Sequence, residues 1–101
     1  MPSELVSFFR FDYPDEEAFI RIKVWKVKPN VKGSLHEYKY SCAYVVGKTC
    51  VLRYDNEAGK GDHKHINGQE IPLQFSDVED LIAQFDADVQ MIRRQNENTD
   101  C

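Results

Sequence analysis

Between Arg53 and His65 the chain reads RYDNEAGKGDHKH, and these thirteen residues hold a dense set of chemically able side chains. An imidazole moves protons near neutral pH because its unperturbed pKa is about 6.5. A guanidinium suits phosphate because its planar fork donates to two oxygens at once. His63 or His65, with Arg53, therefore offers what in-line attack by an RNA 2′-hydroxyl needs: a proton acceptor, a proton donor and a cation for the growing phosphate charge. Asp55 would orient a partner, and Lys60 and Lys64 would hold phosphate. His36, Lys39 and Tyr40 join them as candidate substrate contacts. The expected strand register puts Tyr40 opposite Asp55, beside Arg53, with His36 near the same end.

Other chemistries draw on the same residues. His63 and His65 are two apart, so on a strand both point to one side. With Asp62 or Asp55 they make a candidate divalent-metal set. A structural zinc usually takes four ligands, often cysteines, and the chain has no CxxC pair, so no cofactor is expected. Salt bridges are the plain alternative: Arg53 with Asp55 or Glu57, and Asp62 with Lys60 or Lys64. Exposed pairs contribute only ~0–1 kcal/mol each, which explains such a concentration poorly. Gly59-Lys60-Gly61 lacks both the spacing and the following helix of a phosphate-binding fingerprint.

The rest of the chain bounds what can position these groups. It has 101 residues, 42% hydrophobic and 30% charged. That is one globular domain, set at 1–95, with a disordered tail at 96–101. No apolar run reaches the ~20 residues of a membrane span. The N-terminus lacks the pattern of a signal peptide, and three scattered cysteines fit reduced thiols, so the expected location is cytoplasmic. The net charge of −4 conceals a polarised distribution. From Ala18 to Ile66 there are ten Lys/Arg against four Asp/Glu, and acids cluster on either side. A positive middle inside an acidic chain can hold an anion without being a general polycation.

Periodicity then assigns the elements. Glu4 to Phe11 reads as a strand, and Pro14 to Glu17 as a turn. Ala18 to Lys28 alternates: Ala18, Ile20, Ile22 and Val24 form a core face, while Arg21, Lys23 and Trp25 face the other way, where they could hold a single-stranded nucleic acid. His36 to Val46 and Thr49 to Tyr54 make a hairpin about Gly47-Lys48. Its simplest register sets Tyr44 opposite Val51 and Cys42 opposite Arg53. Tyr38, Tyr40, Cys42 and Tyr44 would then share a face with Val51, Arg53 and Asp55. His63 to Ile66 and Gln69 to Phe75 pair about Asn67-Gly68, with Pro72 confining the last strand to an edge. Ser76-Asp77-Val78-Glu79 reads as a capping box. Val78, Leu81, Ile82, Phe85, Val89 and Ile92 follow as a helical stripe. The expected fold is α+β: a twisted antiparallel meander of five or six strands with a C-terminal helix on one face.

Three features together resemble the TumE-type toxin-like family of bacterial toxin–antitoxin systems. They are Gly33-Ser34-Leu35-His36-Glu37-Tyr38-Lys39-Tyr40, the RYDNEAGKGDHKH run, and the later pattern of Glu70, Phe75, Leu81, Phe85 and Asp88-Val89. The resemblance runs from about Glu17 to Arg93 and departs at Leu73, where members often carry an aromatic. It implies the toxin of a type II system whose partner is a helix-turn-helix antitoxin. By analogy with toxins of this size it raises the RNA-cleaving reading, with RNA as a second partner. A non-enzymatic partner-binding module and a metal-dependent hydrolase using His63, His65 and Asp62 stay open beside it.

Overall fold

The computed structural model describes residues 3–56 and 58–98, the side chains of 96–98 excepted. Six strands run in simple sequence order across one antiparallel sheet. They are β1 (Ser3–Tyr13), β2 (Ala18–Val27), β3 (Tyr38–Val46), β4 (Thr49–Asp55), β5 (His63–Ile66) and β6 (Gln69–Pro72), followed by the helix α1 (Val78–Asn98). Each link is local, as expected when consecutive strands are joined by turns. Asn67 and Gly68 both take positive φ, as a two-residue type I′ turn requires. β6 stops at Pro72, short of the expected Phe75, because proline cannot donate to the ladder. The helix reaches Asn98, through part of the expected tail, and residues 99–101 lie outside the described residues, as does Glu57.

One face of the sheet is apolar and the helix covers it. Ala18, Ile20, Ile22 and Val24 of β2 and Tyr40, Cys42 and Tyr44 of β3 are buried there with Leu52 and Tyr54 of β4. Leu81, Phe85 and Val89 of α1 seal them, each fully buried. The stripe read from the sequence is thus the packing face. The helix begins one residue later than the capping box implied. Asp77 is its N-cap: its Oδ1 accepts from the Asp80 N–H at 2.7 Å, and its carbonyl accepts from Leu81 N–H at 3.0 Å.

The β3–β4 register corrects the sequence reading. Val46 does face Thr49, but the pairing shifts between Tyr44 and Val45, so Tyr44 faces Leu52 and Cys42 faces Tyr54. Val51 is the extra residue of a β-bulge, and one such residue exchanges the two faces of all that follows. Leu52 and Tyr54, not Val51 and Arg53, join Tyr40, Cys42 and Tyr44 in the core. Arg53 and Asp55 therefore stand on the opposite face, where Ala43 and Ser41 are their neighbours. Tyr40 is not beside Arg53.

At the far edge β1 is unlike the others. Leu5, Val6, Phe8, Phe9 and Phe11 are about half exposed along it. A second bulge, between Leu5 and Ser7, interrupts its pairing with β2.

Candidate functional site

Two loops meet at one end of the sheet, and most of the conspicuous polar residues serve that meeting. Gly33 and Gly61 touch backbone to backbone, so closely that a Cβ on either would lie 3.0 Å from the other's main chain. Gly59 N–H donates to the Lys32 carbonyl at 2.7 Å. Asn56, essentially unexposed, accepts from Tyr40 N–H and donates to the Tyr38 carbonyl and to Ser34 Oγ. Beside it, His36 Nδ1 accepts from the Tyr38 N–H at 3.1 Å, so its proton sits on Nε2, which donates to Asp62 Oδ1 at 2.8 Å. Tyr40 hydroxyl donates to the same oxygen at 2.7 Å, and the His36 ring stacks on Phe75 with centroids 3.7 Å apart. Burial and the Asp62 charge push the Tyr40 hydroxyl far above the ordinary phenol range.

His36, Tyr40 and Asp62 thus form one network on the helix side of the sheet. Lys64 belongs to that side too. Its Nζ lies 2.9 Å from Asp88 Oδ2, which also accepts from the Tyr54 hydroxyl. These contacts fasten α1 to β4 and β5. Of the groups expected around phosphate, then, Lys64, His36 and Tyr40 are placed away from Arg53.

The four candidate catalytic residues, Arg53, Asp55, His63 and His65, come together on the face the helix leaves open. Strand pairing sets Arg53 opposite His65 and Asp55 opposite His63. Arg53 Nε lies 3.1 Å from Asp55 Oδ2, and Arg53 Nη2 donates to His65 Nε2 at 3.2 Å. His65 therefore presents an unprotonated Nε2 to the guanidinium. The His63 ring, 5.0 Å away edge to face, is held differently. Its Nδ1 donates to the Gly61 carbonyl at 3.0 Å, and its Nε2 lies 2.7 Å from Asp55 Oδ1. Both ring nitrogens thus lie close to an oxygen. The contact with Asp55 is short but off-axis: Oδ1 is buried and has no aligned hydrogen bond.

Access differs as well. Arg53 keeps 48% of its side chain exposed, whereas His63 keeps 5%. Cys50, Arg53 and His65 line a shallow hollow of about 180 Å³. His63 borders another of about 330 Å³, together with Lys60, Asp62, Glu70 and Pro72. Lys60 Nζ stands 3.8 Å from Glu70, a residue that the sequence reading did not place in the site. Lys39 also lies on the open face, exposed, on β3. Arg10, which pairs with Arg21, was missed for the same reason as Glu70: only strand pairing brings either to this face.

For a metal, Asp55, His63 and His65 offer donor atoms within 4.8 Å of one another. Asp62 is not in that set, because it is turned toward His36 and Tyr40. Two imidazoles and a carboxylate are a suitable donor type for zinc. Arg53, however, already contacts both Asp55 and His65 and puts a fixed positive charge at the centre. A metal there would have to displace the guanidinium from both residues.

No curated protein and no solved structure matches the chain. The family model described as toxin TumE matches residues 3–94. This span takes in the whole sheet, both clasped loops, the open-face cluster and nearly all of the helix, and the chain belongs to the TumE toxin family.

Proposed function

We propose that this toxin acts on RNA, cutting it by metal-independent acid–base chemistry at Arg53, Asp55, His63 and His65. The observation that carries the reading is the unlike setting of the two imidazoles: His65 Nε2 is held as an acceptor by Arg53, and His63 is held between two oxygens. The two rings thus offer a substrate different atoms, an acceptor nitrogen on His65 and a donor on His63. His65 takes the proton from a 2′-hydroxyl whose oxygen attacks the adjacent phosphorus. Arg53 turns from His65 to the phosphate oxygens. The P–O5′ bond breaks, and His63 returns a proton to the leaving oxygen. The products are a 2′,3′-cyclic phosphate and a free 5′-hydroxyl. Asp55 positions both Arg53 and His63.

The test is cleavage of single-stranded RNA by purified protein, with the product ends identified. His65→Ala is expected to lower the rate by at least ~10²-fold, the usual share of one general base, without changing the melting temperature. Cleavage should persist in EDTA. Unaltered cleavage by His65→Ala rejects the assignment; loss in EDTA with recovery on adding zinc moves it to the metal-dependent hydrolase.

A second reading, a module that works by binding its helix-turn-helix antitoxin, has β1 in its favour. Phe9 of this apolar edge strand forms a groove with Ile20, Ile22, Ile82 and Phe85, rimmed by Glu79 and Asp86. The rim charge suits an antitoxin segment with an apolar face and Lys/Arg flanks. Under this reading Phe9→Glu abolishes antitoxin binding, and His65→Ala leaves toxicity in cells unchanged.

A further inference from the structure

The strand registers align an unusual row of residues across the open face. Arg10 pairs with Arg21, Arg21 with Ala43, Ala43 with Arg53, and Arg53 with His65. This single rung crosses five strands and ends on the sixth at Glu70, the partner of His65. With strands ~4.8 Å apart, the Cα atoms of Arg21 and Arg53 are ~10 Å apart, across the small side chain of Ala43. Two long guanidinium arms can close that gap. On the next rung Phe8 pairs with Lys23.

Charge and hydrogen bonding at the Arg21 end are incomplete. Arg21 Nε is buried and lacks a hydrogen-bond acceptor among the described residues. Its partner across β1 is another cation, Arg10, which already lies 3.1 Å from Asp12 and packs over the Phe19 ring. Lys23 lies over the Phe8 ring at 5.7 Å. Asp12 is thus engaged by Arg10, and the registers set Asp55 two strands from Lys23 across Ser41. A buried guanidinium N–H without an acceptor costs free energy, and an anion drawn to that edge of Arg21 would offset the cost. Phe8, 57% exposed on the same face, offers a flat apolar ring beside it.

We infer that Arg21, with Arg10 and Lys23, is a second phosphate site, and that the substrate is a single-stranded RNA laid along the Arg10–His65 rung. A phosphate upstream or downstream of the scissile one sits at Arg21, and a base stacks on Phe8. Stacking of this kind tolerates any base, so the track selects single strands and leaves sequence to other contacts. The inference rests on the RNA reading above and deepens it: the cleavage cluster alone would accept a dinucleotide, and the rung asks for several nucleotides.

Binding is measured by fluorescence anisotropy with a labelled single-stranded oligoribonucleotide, using His65→Ala protein so that nothing is cut. Adding Arg21→Gln and Lys23→Gln together is expected to weaken binding at least tenfold and to flatten the log-affinity against log-salt slope by about 0.7, the share of the one phosphate no longer held. In the active protein the same pair should raise KM for the oligonucleotide and leave kcat and the KM for a dinucleotide unchanged. Lys48→Gln, the loss of one positive charge away from the rung at the hairpin turn, should do neither. Affinity, slope and KM equal to the parent's, with cleavage still dependent on His65, overturn the second site and leave the cleavage reading standing. Parent protein that neither binds nor cuts RNA overturns both.

Discussion

Asn56 shows how much of a polar motif can be architecture. Its amide satisfies the Tyr40 N–H and the Tyr38 carbonyl at the point where β3 has run past the end of β4, and it reaches Ser34 in the long loop. Asn56→Ala leaves those groups buried and unpaired, and should destabilise the chain by about 2–3 kcal/mol in denaturant unfolding. Asn56→Ala with wild-type stability would show that water replaces the amide. Cys42 gives a second residue-scale expectation. Burial, with the nearby Asp55 charge, pushes its thiol up to about 12, whereas Cys50 is exposed. A thiolate is the reactive form. Alkylation followed by peptide mapping should therefore label Cys50 in the native protein and Cys42 only after denaturation; native labelling of both at similar rates contradicts the packing. These residues also show what the sequence could reveal. The density of RYDNEAGKGDHKH pointed to a site, but Asn56, Gly59, Gly61 and Asp62 hold loops together, and Arg53, Asp55, His63 and His65 make the open cluster. Residue type alone does not separate the two groups, since the same amides and carboxylates serve clasp and catalyst.

The elements divide along the same line. The strands and helix were legible because each has a strong period: two for Ala18 to Val24, 3.6 for Val78 to Ile92. The pairing of β3 with β4 was not, because a bulge leaves no mark in composition, and the extra residue, Val51, is a good strand former. Burial supplies the physical reason. Leu52 and Tyr54 are the larger apolar pair, and packing them on Phe85 outweighs an unbroken ladder; the Tyr54 and Phe85 rings meet edge to face at 5.2 Å. Phe85→Ala should then cost about 3–5 kcal/mol. For a chain of this length that lowers Tm by on the order of 15 °C or more, read by calorimetry. Deleting Val51 makes a sharper test of the register. Removing the bulge residue keeps both faces and should preserve the fold with a modest loss of stability. Inserting one further residue after Val51 should instead unfold the chain, by turning Leu52 and Tyr54 outward.

At the scale of the whole molecule, the sheet works as a partition. Its helix side encloses tyrosine hydroxyls anchored on carboxylates, and its open side carries the cationic rung. The enclosed side has a consequence at high pH. Burial raises Tyr40, Tyr44 and Tyr54 above the ordinary phenol value of 10, with Asp62 adding to the first and Asp88 to the last. Below pH 10 the folded and unfolded chains both keep these protons, so the stability of the fold is fully present. Above pH 10 the unfolded chain releases them and the folded chain holds them, and stability falls as pH rises. Each group contributes a slope of up to about 1.4 kcal/mol per pH unit. Three such groups acting on a net stability of ~5–15 kcal/mol will unfold the protein within a few units. Tyrosinate absorbance should therefore stay short of the full five tyrosines while far-UV circular dichroism is native, then rise together with its loss. Tyr40→Phe removes one linked proton, so its stability should decline less steeply with pH, whatever its starting value. Smooth ionisation of all five tyrosines ahead of any loss of circular dichroism would mean that the hydroxyls are not enclosed, and that the helix does not hold the closed side of the sheet.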